Sequence, residues 1–157
     1  MRSLNSWALA LLAFSSAGTA TAQSQVLTVV PPARLTVKRA EPLTAKLQLQ
    51  LRPGYHVNSN KPSDEYMIPL RLMWDAAGPL EAREVIFPKP HQEKSEFAEK
   101  PLSVFSGEFE IATKLAVRPN APSGLGILNG KLRYQACNDK MCLPPKTLDV
   151  KITYEIK

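Results

Sequence analysis

Leu43-Thr44-Ala45-Lys46-Leu47-Gln48-Leu49-Gln50-Leu51 decides the fold class. Apolar residues fill every second position and polar ones stand between them. Side chains of a strand point alternately to its two faces, so this segment reads as a strand with one dry and one wet face. Leu148, Val150, Ile152, Tyr154 and Ile156 repeat the pattern against Asp149, Lys151, Thr153 and Glu155. Phe109, Ile111 and Thr113 alternate with Glu108, Glu110 and Ala112, and Leu132, Tyr134 and Ala136 with Lys131, Arg133 and Gln135. Val26 to Val30, Leu35 to Lys38 and Ile68 to Trp74 are further extended runs.

Turn signals separate these runs: Pro31-Pro32, Pro53-Gly54, Gly78-Pro79, the stretch from Pro119 to Gly126, and Asn129-Gly130. Asn-Gly between two extended runs predicts a hairpin turn there. The 14 prolines are about twice the ordinary ~5% usage and leave little room for long helices. Many short strands at this spacing predict an all-β, immunoglobulin-like β-sandwich. Pro88 to Pro101 reads as one long, charged loop, with a single helical turn around Glu93 to Lys100.

The first residues read as an address. Met1-Arg2 is a positive start, Trp7 to Phe14 is a short apolar run, and Ala20-Thr21-Ala22 is an A-x-A cleavage signal. This is the layout of a secretory signal peptide. The apolar run is well short of the roughly 20 residues that a spanning helix needs, and no later run is longer. Residues 1–22 are therefore expected to be removed and 23–157 to form one exported domain without a membrane span. Cleavage removes 22 of the 157 residues, leaves 135, and takes the formal charge from +6 to +5. The charges are mixed in sign and carry no interleaved aromatics, which argues against nucleic acid as a partner.

Two cysteines are present, Cys137 and Cys142, in Tyr134-Gln135-Ala136-Cys137-Asn138-Asp139-Lys140-Met141-Cys142-Leu143-Pro144-Pro145. In an exported protein a disulfide persists, and four intervening residues let the chain bridge a tight turn. Such a short ring is a weak staple, about 2 kcal/mol in the chain-entropy model against roughly 4.7 for a 100-residue loop. Lys140 inside the ring favours a thiolate and Asp139 opposes it. Pro144-Pro145 stiffens the exit. From the residues alone, a redox role and a structural role both stand open. Metal ligation by the thiolates with His56 and His91, or Cu(I) binding with Met67 and Met141, has little support from the spacing, and no metal or other cofactor is expected. Hydrolytic chemistry has none either: G-x-S-x-G, HExxH and Gly-rich phosphate loops are absent.

Tyr-Gln-Ala-Cys followed by Cys-Leu-Pro-Pro resembles the N-terminal periplasmic domain of the thiol:disulfide interchange protein DsbD. Gly54-Tyr55-His56-Val57-Asn58 is similar to that family's strand entering the active site. Glu96-Phe97, with Val104-Phe105-Ser106-Gly107 beyond it, is similar to its cap loop and return strand. The resemblance covers nearly all of residues 23–157. It implies an immunoglobulin-like sandwich in the periplasm and a thiol–disulfide oxidoreductase role within a protein-disulfide reductase system. Electrons would arrive from a membrane-linked thioredoxin-like reductant and leave to periplasmic thioredoxin-fold oxidoreductases, including those of cytochrome c maturation.

Carried over by position, Cys142 is the attacking thiol and Cys137 resolves the mixed disulfide. The resemblance implies that Phe97, with Glu96 beside it, caps the sulfurs; an ordinary core contact for Phe97 and a loop-solvating Glu96 are the plainer alternatives. His56 and Asn58 stand where the family often carries tyrosines, and an imidazole there is placed to accept a thiol proton; a half-exposed strand histidine is the plainer alternative. Tyr134 reads as core. The cysteine ring is one residue shorter than in better-known members. With no transport or thioredoxin-like domain before Lys157, the reductant is expected to be a separate protein and the chain a monomer. The competing expectation is a non-catalytic binding module in which the disulfide only clasps a turn.

Overall fold

The computed structural model describes residues 25–95 and 98–157, and every regular element within them is a strand. The expected signal peptide and the cap pair Glu96 and Phe97 lie outside the described residues.

Strand β3 (Leu43–Leu51) is the alternating segment quoted first, and Ala45, Leu47, Leu49 and Leu51 are buried along it. It pairs antiparallel with β1 (Leu27–Val30) and β9 (Glu108–Val117), and β6 (Leu80–Ile86) adds to β9 to give the order β1-β3-β9-β6. A second sheet has the order β2-β12-β10-β5, from β2 (Leu35–Val37), β12 (Lys146–Ile156), β10 (Gly124–Tyr134) and β5 (Arg71–Trp74). Here β2 runs parallel to β12 and the other pairs are antiparallel.

The dry faces of the two sheets share one core. Leu47, Leu49, Ile111 and Leu115 of the first join Leu128, Leu132, Ile152 and Ile156 of the second. Each such side chain contributes about 1.5–3 kcal/mol by leaving water. Trp74 Nε1 donates to Thr113 Oγ1 at 3.0 Å, tying β5 to β9 across the sandwich. This is the expected immunoglobulin-like architecture.

Two local expectations fail. Asn129 and Gly130 form no turn; they lie mid-strand in β10, opposite Lys151 and Val150 of β12. The bareness of Gly130 serves packing instead: a Cβ there would stand 2.5 Å from Trp74 Cε3. The Pro88–Pro101 segment is not wholly loop, since β7 (His91–Glu93) pairs with β8 (Leu102–Ser106). No helix forms among its described residues.

These two strands belong to a third, small sheet of order β11-β4-β8-β7, completed by β4 (His56–Asn58) and β11 (Ala136–Cys137). The chain reaches β4 from β3 through Arg52-Pro53-Gly54-Tyr55, where Tyr55 N donates to Arg52 O at 3.1 Å and Gly54 has φ 81°. Proline followed by a residue at positive φ is the type II turn, which glycine adopts without steric cost. The register sorts the small sheet into two faces. Val57, Phe105 and Ala136 share one face and belong to the core. The other face carries Cys137, His56 and Ser106 in one cross-strand row, then Asn58, Val104 and His91, then Leu102 and Glu93.

Candidate functional site

Cys137 and Cys142 are disulfide-bonded, with Cα atoms 4.0 Å apart. The local hydrogen bonds explain why they meet. Asn138 N donates to Met141 O at 2.9 Å and Leu143 N to Ala136 O at 2.8 Å. These bonds flank the cysteines and leave them as a non-hydrogen-bonded antiparallel pair, the position at which cross-strand side chains approach most closely. Asn138 Oδ1 accepts from the N–H groups of Lys140 and Met141, both at 2.9 Å, and so closes the turn. The two sulfur-bearing residues are unlike in exposure. Cys137 is 3% exposed, whereas Cys142 is exposed.

The disulfide borders a cleft of about 390 Å³, on the outer face of the small sheet. His56, Asn58 and Leu102 form its floor, while Tyr66, Met67 and Met141 stand around it. Asn58 Nδ2 donates to Ile68 O at 3.0 Å and Leu70 N to Ser59 O at 3.2 Å. Asn58 thereby anchors the segment that brings Tyr66 and Met67 to the cleft. Leu102 and Met67 give the cleft an apolar character, and Tyr66 is among the most exposed large side chains.

His56 is buried, at 5% exposure, so the half-exposed alternative is excluded. It is the register partner of Cys137, and side chains so paired lie on one face with Cβ atoms about 4.5–5.5 Å apart. Its Nδ1 lies 3.0 Å from Glu93 Oε1. The other carboxylate oxygen of Glu93 is 3.5 Å from His91 Nε2, which is itself 3.2 Å from Ser106 Oγ. His56 Nε2 is buried with no hydrogen-bond partner among the described residues, a condition that costs about 1–3 kcal/mol for a polar group.

The structure thus brings Cys137, Cys142, His56 and Asn58 to one cleft. Glu93, Tyr66 and Gln135 also belong to this neighbourhood and were not singled out by the sequence. β7 left no sign in the sequence, since three residues are too few to show a period. His91 meets Glu93 rather than the sulfurs. Among the described residues no group of three or more His, Cys, Asp and Glu side chains has the geometry to hold a metal ion. Tyr134 is buried behind the cysteine turn, as read, and burial raises its phenol pKa.

A β-sandwich with an appended small sheet carries the disulfide at the edge of a cleft. The family model of the N-terminal domain of thiol:disulfide interchange protein DsbD matches residues 23–153, and the chain belongs to that family. Its fold is similar to the crystal structure of the N-terminal periplasmic domain of ScsB from Proteus mirabilis. There the TM-score is 0.51 and the identity 16%, over 81% of this chain and 44% of that one. The chain thus spans less than half of that neighbour's length. A family 123 glycoside hydrolase from Clostridium perfringens gives a TM-score of 0.35 at 13% identity, over 85% of this chain and 27% of that one. No curated protein matches the chain by sequence. Among the described residues no helix is long and apolar enough to cross a membrane.

Proposed function

We propose that this domain passes electrons between thioredoxin-fold proteins of the periplasm by opening and re-forming the Cys137–Cys142 bond. The observation that carries the reading is the unequal exposure of the two cysteines beside a cleft. In the reduced form, the Cys142 thiolate attacks a partner disulfide, forming a mixed disulfide and releasing one partner thiolate. Cys137 then attacks the Cys142 sulfur, and the second partner thiolate leaves. The partner gains two electrons and the domain is left oxidised. A membrane-linked thioredoxin-like protein restores the dithiol by the reverse exchange. An exposed Cys142 suits the intermolecular step, and a buried Cys137 suits a step that only its neighbour can reach.

Phe97, with Glu96 beside it, acts in this reading as a cap over the sulfurs that a docking partner displaces. The described ends of its segment support the placement, since Ser95 and Ala98 both line the cleft. The apolar cleft and exposed Tyr66 supply the surface on which such a partner docks. Residues 1–22 serve as the export signal.

The test is Cys137→Ser in a periplasmic extract. A covalent adduct that dithiothreitol releases and Cys142→Ser abolishes is expected. Absence of any adduct, together with a bridge that glutathione buffers fail to reduce, would establish the turn-clasp alternative. Structural disulfides typically have potentials below about −300 mV.

A further inference from the structure

We propose that His56, oriented by Glu93, takes the proton of Cys137 when the buried thiol resolves the mixed disulfide. The inference rests on the exchange reading above and adds to it the fate of a proton. Cys137 is buried, so bulk water is poorly placed to accept its proton at the moment of attack. His56 is its strand partner on the same face, and both line the same cleft.

The tautomer follows from the neighbours. A carboxylate only accepts hydrogen bonds, so at 3.0 Å from Glu93 Oε1 the Nδ1 atom carries the hydrogen. In the neutral ring Nε2 is then a bare acceptor, and it is buried without a donor among the described residues. An unpaired buried acceptor calls for an explanation. In the disulfide form Cys137 has no S–H to offer. In the dithiol form it has one, on the residue next to His56. The Cys137 thiol, which exists only in the reduced protein, is the donor assigned to Nε2.

His56 also lines a second cleft of about 370 Å³, bounded by Glu93, Lys94 and the Asn138–Lys140 turn. This gives the ring a way to exchange protons with solvent apart from the sulfur-lined cleft. The titratable and charged groups around it are Glu93 and His91 of β7, Lys94 beyond them, Asp139 and Lys140 of the turn, and Tyr66 across the sulfur-lined cleft.

The balance is complete. The Cys137 S–H gives its proton to His56 Nε2, and the resulting thiolate attacks the Cys142 sulfur of the mixed disulfide. The Cys137–Cys142 bond forms as the Cys142–partner bond breaks. The departing partner thiolate takes the proton from the imidazolium, which returns His56 to its neutral form. His56 is catalytic in this step and Glu93 is a positioning residue.

The test uses the full chain carrying Cys142→Ser, in which Cys137 is a free thiol, with thiolate absorbance followed against pH. His56→Gln is expected to lower the thiolate population at neutral pH at least tenfold. Glu93→Gln keeps an acceptor for Nδ1 but removes the charge, and is expected to give a smaller change of the same sign; its partly exposed position makes it a safe second variant. Nitrogen NMR of the otherwise unaltered chain is expected to show a hydrogen-bonded or protonated His56 Nε2 in the dithiol form and a bare one in the disulfide form. Equal thiolate populations in all three proteins, or an Nε2 signal unmoved by reduction, would overturn the proposal even if the bridge exchanges freely. A bridge that never exchanges with glutathione defeats the exchange reading instead, and the thiol titration reads independently of it.

Discussion

The indole of Trp74 lies over Gly130, its register partner on β10, so closely that a Cβ on the glycine would stand 2.5 Å from Cε3 and 2.9 Å from the carbonyl oxygen of Met73. Trp74 also donates to buried Thr113 on the opposite sheet. The bare glycine is therefore part of how the two sheets are tied together. Gly130→Ala forces the ring or the β5 backbone aside and disturbs the Thr113 hydrogen bond. Overpacking of this kind costs about 1–3 kcal/mol. A urea midpoint lowered to that extent, with a changed tryptophan emission, is expected; an unchanged midpoint would show that the strand pair yields freely.

That same dipeptide marks where sequence reading reaches its limit. Asn129-Gly130 has the chemistry of a hairpin turn, but whether a glycine bends the chain or receives a ring depends on Trp74, a residue remote in sequence. β3, β9 and β12 were legible because they are long and one face of each is wet. β4 was legible only by family resemblance: His56, Val57 and Asn58 are all buried, and a strand covered on both faces has no alternation to show. β7 has three residues, and the meeting of Glu93 with His56 arises from the order of the small sheet. The bridge across the cysteine turn was legible because it is local, whereas the unequal exposure of its two cysteines depends on the packing of the small sheet.

The disulfide is expected to contribute little to holding this fold together. Its cysteines are five positions apart, and a ring of that size restricts the unfolded chain by about 2 kcal/mol. The core is built from strands that the bridge does not join. Reduction by dithiothreitol is expected to lower the unfolding free energy by no more than about 2 kcal/mol and to leave the far-ultraviolet circular dichroism of a β-protein. Global unfolding on reduction would assign the bridge a structural role.

After reduction the two thiols are expected to differ in reactivity. Cys142 is exposed and Cys137 is 3% exposed, and alkylation requires both a thiolate and access. Iodoacetamide in short exposure should label Cys142 at least tenfold faster than Cys137, as read by peptide mass spectrometry. Phe97→Ala is expected to speed labelling of Cys142 further, in keeping with the proposed cap. Equal labelling of both cysteines would contradict the assignment of Cys142 as the attacking thiol.

Tyr134 links burial to pH. Its hydroxyl is buried without a hydrogen-bond partner among the described residues, and burial raises its pKa above the ordinary 10.0. Above about pH 10 the unfolded phenol ionises while the folded one keeps its proton. The unfolded state then binds fewer protons, so stability falls as pH rises through this range. Tyr154, also raised by burial, acts with the same sign. Tyr134→Phe removes the unpaired hydroxyl without removing the ring. At neutral pH it is expected to leave stability unchanged or raise it by up to about 1 kcal/mol. At about pH 11 its advantage over the parent should grow, because the Tyr134 phenol no longer contributes to the alkaline loss. Urea midpoints for both proteins across this range provide the measurement, and parallel pH curves would mean that the Tyr134 hydroxyl reaches water or a partner in solution.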